Sequence, residues 1–113
     1  MDAFEDLQVW KKSTELAVKI YSALKNCKDY GLKDQVTRSA LSISSNIAEG
    51  YERNSRNQFI YHLRVAKGSC GELRSQLYIC QKIGVIGEKH VRHFLESARE
   101  ISRMLQGLIN HYR

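Results

Sequence analysis

The chain has 113 residues, which is enough for one modest hydrophobic core and too few for two. Hydrophobic residues make up 42% of it and charged residues 27%, an ordinary globular mix. No apolar run approaches the length of a membrane span, and the formal net charge of +6 makes a polyanionic partner plausible. The acidic start "MDAFEDLQVW" lacks the basic region and apolar run of a signal peptide, so we expect a cytoplasmic protein.

Two helices are predicted in the first half of the chain. The first runs from about Asp6 to Cys27, and we expect "KDYG" to end it, with Gly31 in a left-handed turn. The second runs from about Lys33 to Arg53, where "RNS" breaks it. The apolar face of the first helix is formed by Val9, Ser13, Leu16, Ile20, Leu24 and Cys27.

A third helix is predicted to open with Ser55 and Gln58, a capping-box pattern, and to run to about Ile83, where Gly84 stops it. Its apolar residues alternate at spacings of four and three, which is a heptad seam. The seam consists of Phe59, Leu63, Ala66, Cys70, Leu73, Leu77 and Cys80.

The fourth predicted helix begins near Gly87, with Ile86 placed to pack on Val91. Its seam consists of Val91, Phe94, Ala98, Ile101, Leu105, Leu108 and Tyr112. Because the connections are short, sequential helices should pack antiparallel. The pattern therefore predicts an all-α protein, an up-down-up-down four-helix bundle, with residues 1–113 as one domain.

The second helix carries the unusual stretch "RSALSISSNIAEGYER", whose serines compete with the helical backbone for hydrogen bonds. On a helical wheel its apolar arc is wider than one seam needs, and the residues inside the arc are mostly small. We interpret Ser44, Ala40 and Ala48 as packing residues that let helices approach closely. The opposite strip consists of Arg38, Ser42, Asn46, Glu49 and Arg53.

The third helix also has a second stripe besides its seam, formed by Tyr61, Val65, Gly68, Glu72, Ile79 and Ile83. Gly68 and Gly71 each cost a helix about 1 kcal/mol relative to alanine, and a close helix contact would explain why they are tolerated. Two helices with more than one apolar face favour a bundle that also buries surface against copies of itself. The alternative is a tight monomer.

Catalytic and metal-binding interpretations have little support in the sequence. Glu49 and Glu72 could form a carboxylate pair, but nearby arginines are expected to neutralise them. His90 and His93 have an i,i+3 spacing, yet no carboxylate or cysteine completes a metal site, so we expect a solvent-facing pair. The three cysteines include no CxxC pair, and reduced core thiols are expected. No catalytic residue, metal or cofactor is predicted.

Basic residues form two strips on the last two helices. Lysine and arginine can neutralise phosphates, and a nearby tyrosine can stack on an unpaired base. The alternative is an ordinary solvated helix face. The candidate nucleic-acid-binding residues are Arg64, Lys67, Arg74, Tyr78 and Lys82 on the third helix and Arg92, Arg99 and Arg103 on the fourth.

The stretches "DLQVW", "QVTRSALSISSNIAEGYER" and "FIYHLRVAKGSCGEL" resemble the 23S rRNA intervening-sequence proteins, small bacterial four-helix bundles encoded within some ribosomal RNA genes. The likeness covers nearly the whole chain, although Ser45 stands where many relatives would have proline. The resemblance implies a homopentamer. The family also resembles the accessory protein of diversity-generating retroelements, a basic pentamer that binds nucleic acid and a reverse transcriptase.

If the resemblance holds, the serine-rich stretch is a structural and assembly element. Arg38, Asn46 and Glu49, with Glu72 on the third helix, would form a polar network between packed helices. Two functions remain open at this point. One is a non-enzymatic homo-oligomer that binds RNA or DNA through its basic strips, and the other is an assembly scaffold whose partner is another protein.

Overall fold

The computed structural model describes residues 3–113, so the first two residues of the acidic start, part of the signal-peptide argument, lie outside the described residues. A short 3-10 turn, Phe4–Asp6, precedes the helices α1 (Gln8–Ala23), α2 (Tyr30–Glu52), α3 (Arg56–Lys82) and α4 (Glu88–Tyr112). No strand occurs in this range. The predicted all-α class is confirmed. No helix in residues 3–113 has the length and apolarity needed to cross a membrane.

Consecutive helices pack side by side in a molecule of 42 × 21 × 19 Å. The connections, residues 24–29, 53–55 and 83–87, are short, so each helix begins near the end of the one before it. The contacts agree, since Ser39 meets Glu72 whereas Asn46, later in α2, meets His62, earlier in α3. The four helices therefore alternate in direction around one core.

The predicted boundaries of α3 are confirmed. The Ser55 side chain accepts a hydrogen bond from the backbone N–H of Gln58 at 3.3 Å, which satisfies one of the free donors of the first turn. At the other end Gly84 has a φ of 77°, a left-handed conformation that stops the helix at little steric cost.

The predicted boundary between α1 and α2 is wrong. Helix α1 ends at Ala23 rather than Cys27, and α2 already begins at Tyr30, so that Gly31 lies inside its first turn and not in a left-handed one. The cause is Asp29, whose carboxylate accepts the backbone N–H of Leu32 at 3.1 Å. This cap starts the helix before the glycine can act as a stop.

The core follows the predicted seams closely. All seven seam residues of α3 are buried. In α4 the seam shifts near the end, where Ile109 is buried and Leu108 is only half-buried. The last turn is held instead by Tyr112, whose ring meets the edge of Phe59 at a centroid distance of 5.2 Å.

Close helix approach occurs at a glycine that the sequence analysis did not single out. A Cβ added to buried Gly50 of α2 would lie 2.5 Å from the Cβ of His62 in α3. The predicted close contact at Gly68 and Gly71 is wrong within the chain, because a Cβ at Gly68 would meet nothing within 4 Å and one at Gly71 only the Arg74 guanidinium. Gly50 lies three residues after Ile47, on the core face of α2, and that position was the available signal.

Candidate nucleic-acid interface

Polar side chains form a ladder between α2 and α3. Ser39 donates to the Glu72 carboxylate at 3.2 Å, and the hydroxyls of Ser42 and Ser69 lie 2.8 Å apart. Asn46 donates to the Ser42 carbonyl at 2.9 Å and to its hydroxyl at 3.1 Å. Two of the four serines of the unusual stretch, Ser39 and Ser42, are therefore paired across the α2–α3 contact, which offsets their poor helix propensity.

The ladder ends at His62, a buried residue that sequence reasoning missed. Because the Asn46 amide N–H₂ is engaged with Ser42, its Oδ1 is left to accept from His62 Nδ1 at 3.0 Å. The Nε2 of His62 lies 4.0 Å from the Glu49 carboxylate, which accepts from Arg53 at 2.7 Å. The only sequence signal was the position of His62, next to the Leu63 seam residue of α3.

One part of the predicted polar network needs correction, and the carboxylate pair that was considered for catalysis does not form. Arg38 lies outside the ladder, since it is exposed and pairs with Asp34 one turn earlier in α2 at 3.0 Å. Glu49 and Glu72 do not form a pair, because their partners His62 and Ser39 place them ten residues apart along each helix, about 15 Å. Two carboxylates at this separation cannot share a proton or a metal.

Cations from α3 and polar side chains from α4 meet in a groove on the other side of α3. We call this the α3/α4 groove; its volume is about 460 Å³. No carboxylate lines it. The lining residues are Arg64, Lys67, Gly68 and Arg74 of α3 and Ser102, Gln106 and Ile109 of α4.

The basic side chains of this groove have no anionic partner. Arg64, Lys67 and Arg74 form no ion pair within residues 3–113, whereas the carboxylates one turn earlier pair with Arg38 and Arg53. The Nε of Arg74 is buried and has no hydrogen-bond acceptor. Like charges lining one groove without a counter-ion repel one another, so the groove favours an anionic ligand.

The other predicted binding residues divide into three groups. Arg99 of α4 donates to the Tyr78 hydroxyl of α3 at 2.8 Å, so these two join the two basic strips next to the groove. Arg92 instead pairs with Glu88 at 3.1 Å, which leaves it less able to meet a phosphate. Lys82 and Arg103 are exposed and do not line the groove.

Apolar side chains are exposed on two other surfaces. The predicted second stripe of α3 faces outward in the single chain, with Ile79 exposed by 48% and Ile83 by 57%. A separate groove between α1 and α2 is lined by Val18, Tyr21 and Leu41, with Ser44 beside them. Apolar groups of this size on more than one face are typical of interfaces with other molecules.

The remaining reactive side chains lie apart from one another. His90 and His93 are both exposed, and no group of three or more possible metal ligands gathers anywhere in residues 3–113. All three cysteines are free thiols. Burial raises the pKa of Cys70 to about 12, although the charges of Arg74 and Lys67 lower it in part, and burial also raises the pKa of Cys80. Such thiols are poor nucleophiles.

The fold and the groove together define a helical bundle with an unpaired basic groove between α3 and α4. The chain belongs to the 23S rRNA-intervening sequence protein family, whose model matches residues 5–107. Its fold is similar to a crystal structure from Bacteroides thetaiotaomicron VPI-5482, described as a protein with unknown function from the S23 ribosomal protein family. The two are 30% identical with a TM-score of 0.83, over 89% of this chain and 97% of the other. No curated protein matches the chain.

Proposed function

We propose that this protein is a non-enzymatic homo-oligomer, a pentamer as the family resemblance implies, that binds RNA or DNA through the α3/α4 groove. The observation that carries the proposal is the set of basic side chains in that groove without anionic partners. A phosphate backbone supplies the missing negative charge, and its counter-ions are released on binding. The free thiols support a reducing, cytoplasmic setting.

Self-assembly is supported by the exposed apolar surfaces. Ile79 and Ile83 are exposed near the C-terminal end of α3, well beyond Gly68. Their contact with water is unfavourable, and burial against a second copy would remove it. Repetition of the α3/α4 groove in an oligomer would also raise the avidity for a long polyanion.

Assembly is tested by light scattering at micromolar concentration. We expect a mass several times the 13.1 kDa of one chain. The variant Ile79→Glu should reduce this mass with unchanged helix content, because the side chain is exposed in the single chain and its charge would be buried in the interface. A 13.1 kDa species at every concentration of the wild type would overturn the assembly proposal.

Nucleic-acid binding is tested by replacing Arg64, Lys67 and Arg74 together with glutamine. Affinity should fall by a similar factor for all sequences, and the salt slope should become shallower by about one unit per lost phosphate contact. The matched control replaces Lys11 and Lys19 of α1 and Lys25, just after α1, with glutamine. It removes the same three positive charges at a distance from the α3/α4 groove. Lys12 is left intact because it pairs with Glu100 at 3.2 Å and its loss would disturb the α1–α4 contact.

The outcomes separate the two candidate functions. If both triple variants weaken binding equally, net charge is responsible and the α3/α4 groove is not a site. If the wild type binds neither RNA nor DNA at moderate salt, the exposed apolar surfaces favour the alternative, a scaffold that assembles with another protein.

A further inference from the structure

The two glycines of "AKGSCGEL" lie in the α3/α4 groove region but pack against no other helix. Gly68 lines the groove, and a Cβ added there would have nothing within 4 Å. At Gly71 an added Cβ would have the Arg74 Nη2 as its neighbour, at 4.0 Å, so that this guanidinium lies over the bare backbone. The glycines therefore leave open space on α3 beside a guanidinium.

Hydrogen-bond donors surround this open space. Arg64 lies one turn before Gly68, and Lys67 and Arg74 lie two turns apart, about 10 Å along one face of α3. Ser102 faces the groove from α4 and makes no hydrogen bond with any residue of the described chain. The Arg74 Nε is buried and has no acceptor, which is costly unless a ligand supplies one.

We infer that the space over Gly68 is a subsite for one phosphate group, held by Arg64, Lys67 and Arg74 with Ser102 donating from α4. The inference deepens the proposed function, on which it rests for the source of the phosphate. A tetrahedral oxyanion matches several converging N–H and O–H donors, and arginine binds it with two parallel hydrogen bonds. Glycine is required because a side chain at position 68 would project into the space that the phosphate fills.

A phosphate subsite explains why Gly68 is tolerated although it weakens α3 without any packing benefit in the chain. An exposed helical glycine costs stability relative to alanine, and substitution at Gly68 meets no steric barrier. Close backbone approach to a phosphate is a recurring use of glycine, and it gives Gly68 a function that helix packing does not.

The test uses the full chain and the variant Gly68→Leu, with inorganic phosphate and a single-stranded oligonucleotide as separate probes. Leucine fills the space over the groove without changing charge, so binding of both probes should weaken by about 10-fold or more. The matched control is Gly107→Leu, because Gly107 is also an exposed helical glycine with nothing within 4 Å but does not line the groove. It should change binding by less than about twofold.

A second variant keeps the backbone unchanged. Ser102→Ala removes one donor from the groove and should weaken phosphate binding by about threefold, whereas Ser45→Ala, at an exposed position of α2 outside the groove, should have no effect. The two probes distinguish a nucleic-acid phosphate from a free one. One outcome is that the wild type binds inorganic phosphate but no oligonucleotide, with phosphate binding lost in Gly68→Leu. In that case the subsite binds a free anion and the proposed function is wrong.

Two results would overturn the subsite. One is unchanged binding of both probes by Gly68→Leu, which would leave nucleic-acid binding in place but move it away from Gly68. The other is a change in the assembled mass of Gly68→Leu, measured by light scattering, which would assign Gly68 to an interface between copies instead.

Discussion

The two sides of α3 differ in how their polar groups are satisfied. Towards α2, hydroxyls, an amide and a histidine pair with one another, and Gly50 brings the backbones close against His62. Towards α4, cations line a groove without anionic partners and Gly68 faces open space. The same residue types, small and polar or charged, therefore pack two helices on one side and line an open basic groove on the other.

At neutral pH the largest expected effect is on the α2–α3 side, at Gly50. The variant Gly50→Ala places a Cβ 2.5 Å from the Cβ of His62, which lies too near the backbone to swing away. We expect a loss of about 2–3 kcal/mol in the free energy of unfolding, despite the better helix propensity of alanine. Urea denaturation measures it, with Gly107→Ala as the control that should lose nothing. Equal stability of the two variants would show that α2 and α3 are not in close contact.

The next effect concerns the hydrogen bonds of the ladder. Asn46→Ala removes the acceptor of the buried His62 Nδ1–H and should cost about 1–2 kcal/mol. A double-mutant cycle with His62→Ala isolates the pair, and the two losses should be clearly less than additive. Additive losses would mean that Asn46 and His62 act independently and that the ladder is not a network.

Cys70 of α3 lies in the core, close enough to the α3/α4 groove for the charges of Arg74 and Lys67 to lower its pKa in part. Burial raises its pKa to about 12, from 9.0 for an unperturbed thiol, so the folded state favours the neutral thiol. The resulting stabilisation is complete below pH 9 and is lost as the pH rises towards 12, by about 1.4 kcal/mol per pH unit. A Cys70→Ala variant should show a correspondingly smaller alkaline loss of stability in denaturant titrations.

The cysteines also differ in accessibility. In native protein at pH 8, alkylation followed by peptide mass spectrometry should modify half-buried Cys27 well before Cys70. Modification of Cys70 first would show that the core opens on the groove side.

The smallest expected effect is a gain on the α3/α4 side. Gly68→Ala adds a methyl group to open space and should raise the free energy of unfolding by up to about 1 kcal/mol, with unchanged assembly. Thermal and urea unfolding would measure it beside Gly50→Ala, for which the sign should be opposite. A destabilised Gly68→Ala would remove the contrast between the two glycines.

The sequence alone determined the number of helices, most of their boundaries and the buried seam of α3. Caps such as Ser55 and stops such as Gly84 act within one turn, and apolar periodicity fixes which face of a helix is buried. The sequence also predicted the basic residues Arg64, Lys67 and Arg74 as one strip, because they share a helix face. It failed at the start of α2, where the Asp29 cap outweighs the stop expected at Gly31.

Only the tertiary structure decided which residue of another helix each polar side chain meets. Helical periodicity places Asn46 and His62 on faces of their own helices but does not determine the axial register in which the helices pack. That register brings His62 to Asn46, separates Glu49 from Glu72, and places Ser102 beside the basic residues of α3. The helix packing also places Gly50 in close contact with α3, whereas no side chain lies over Gly68. Contact between helices depends on the packing of whole faces and not on the identity of a single residue.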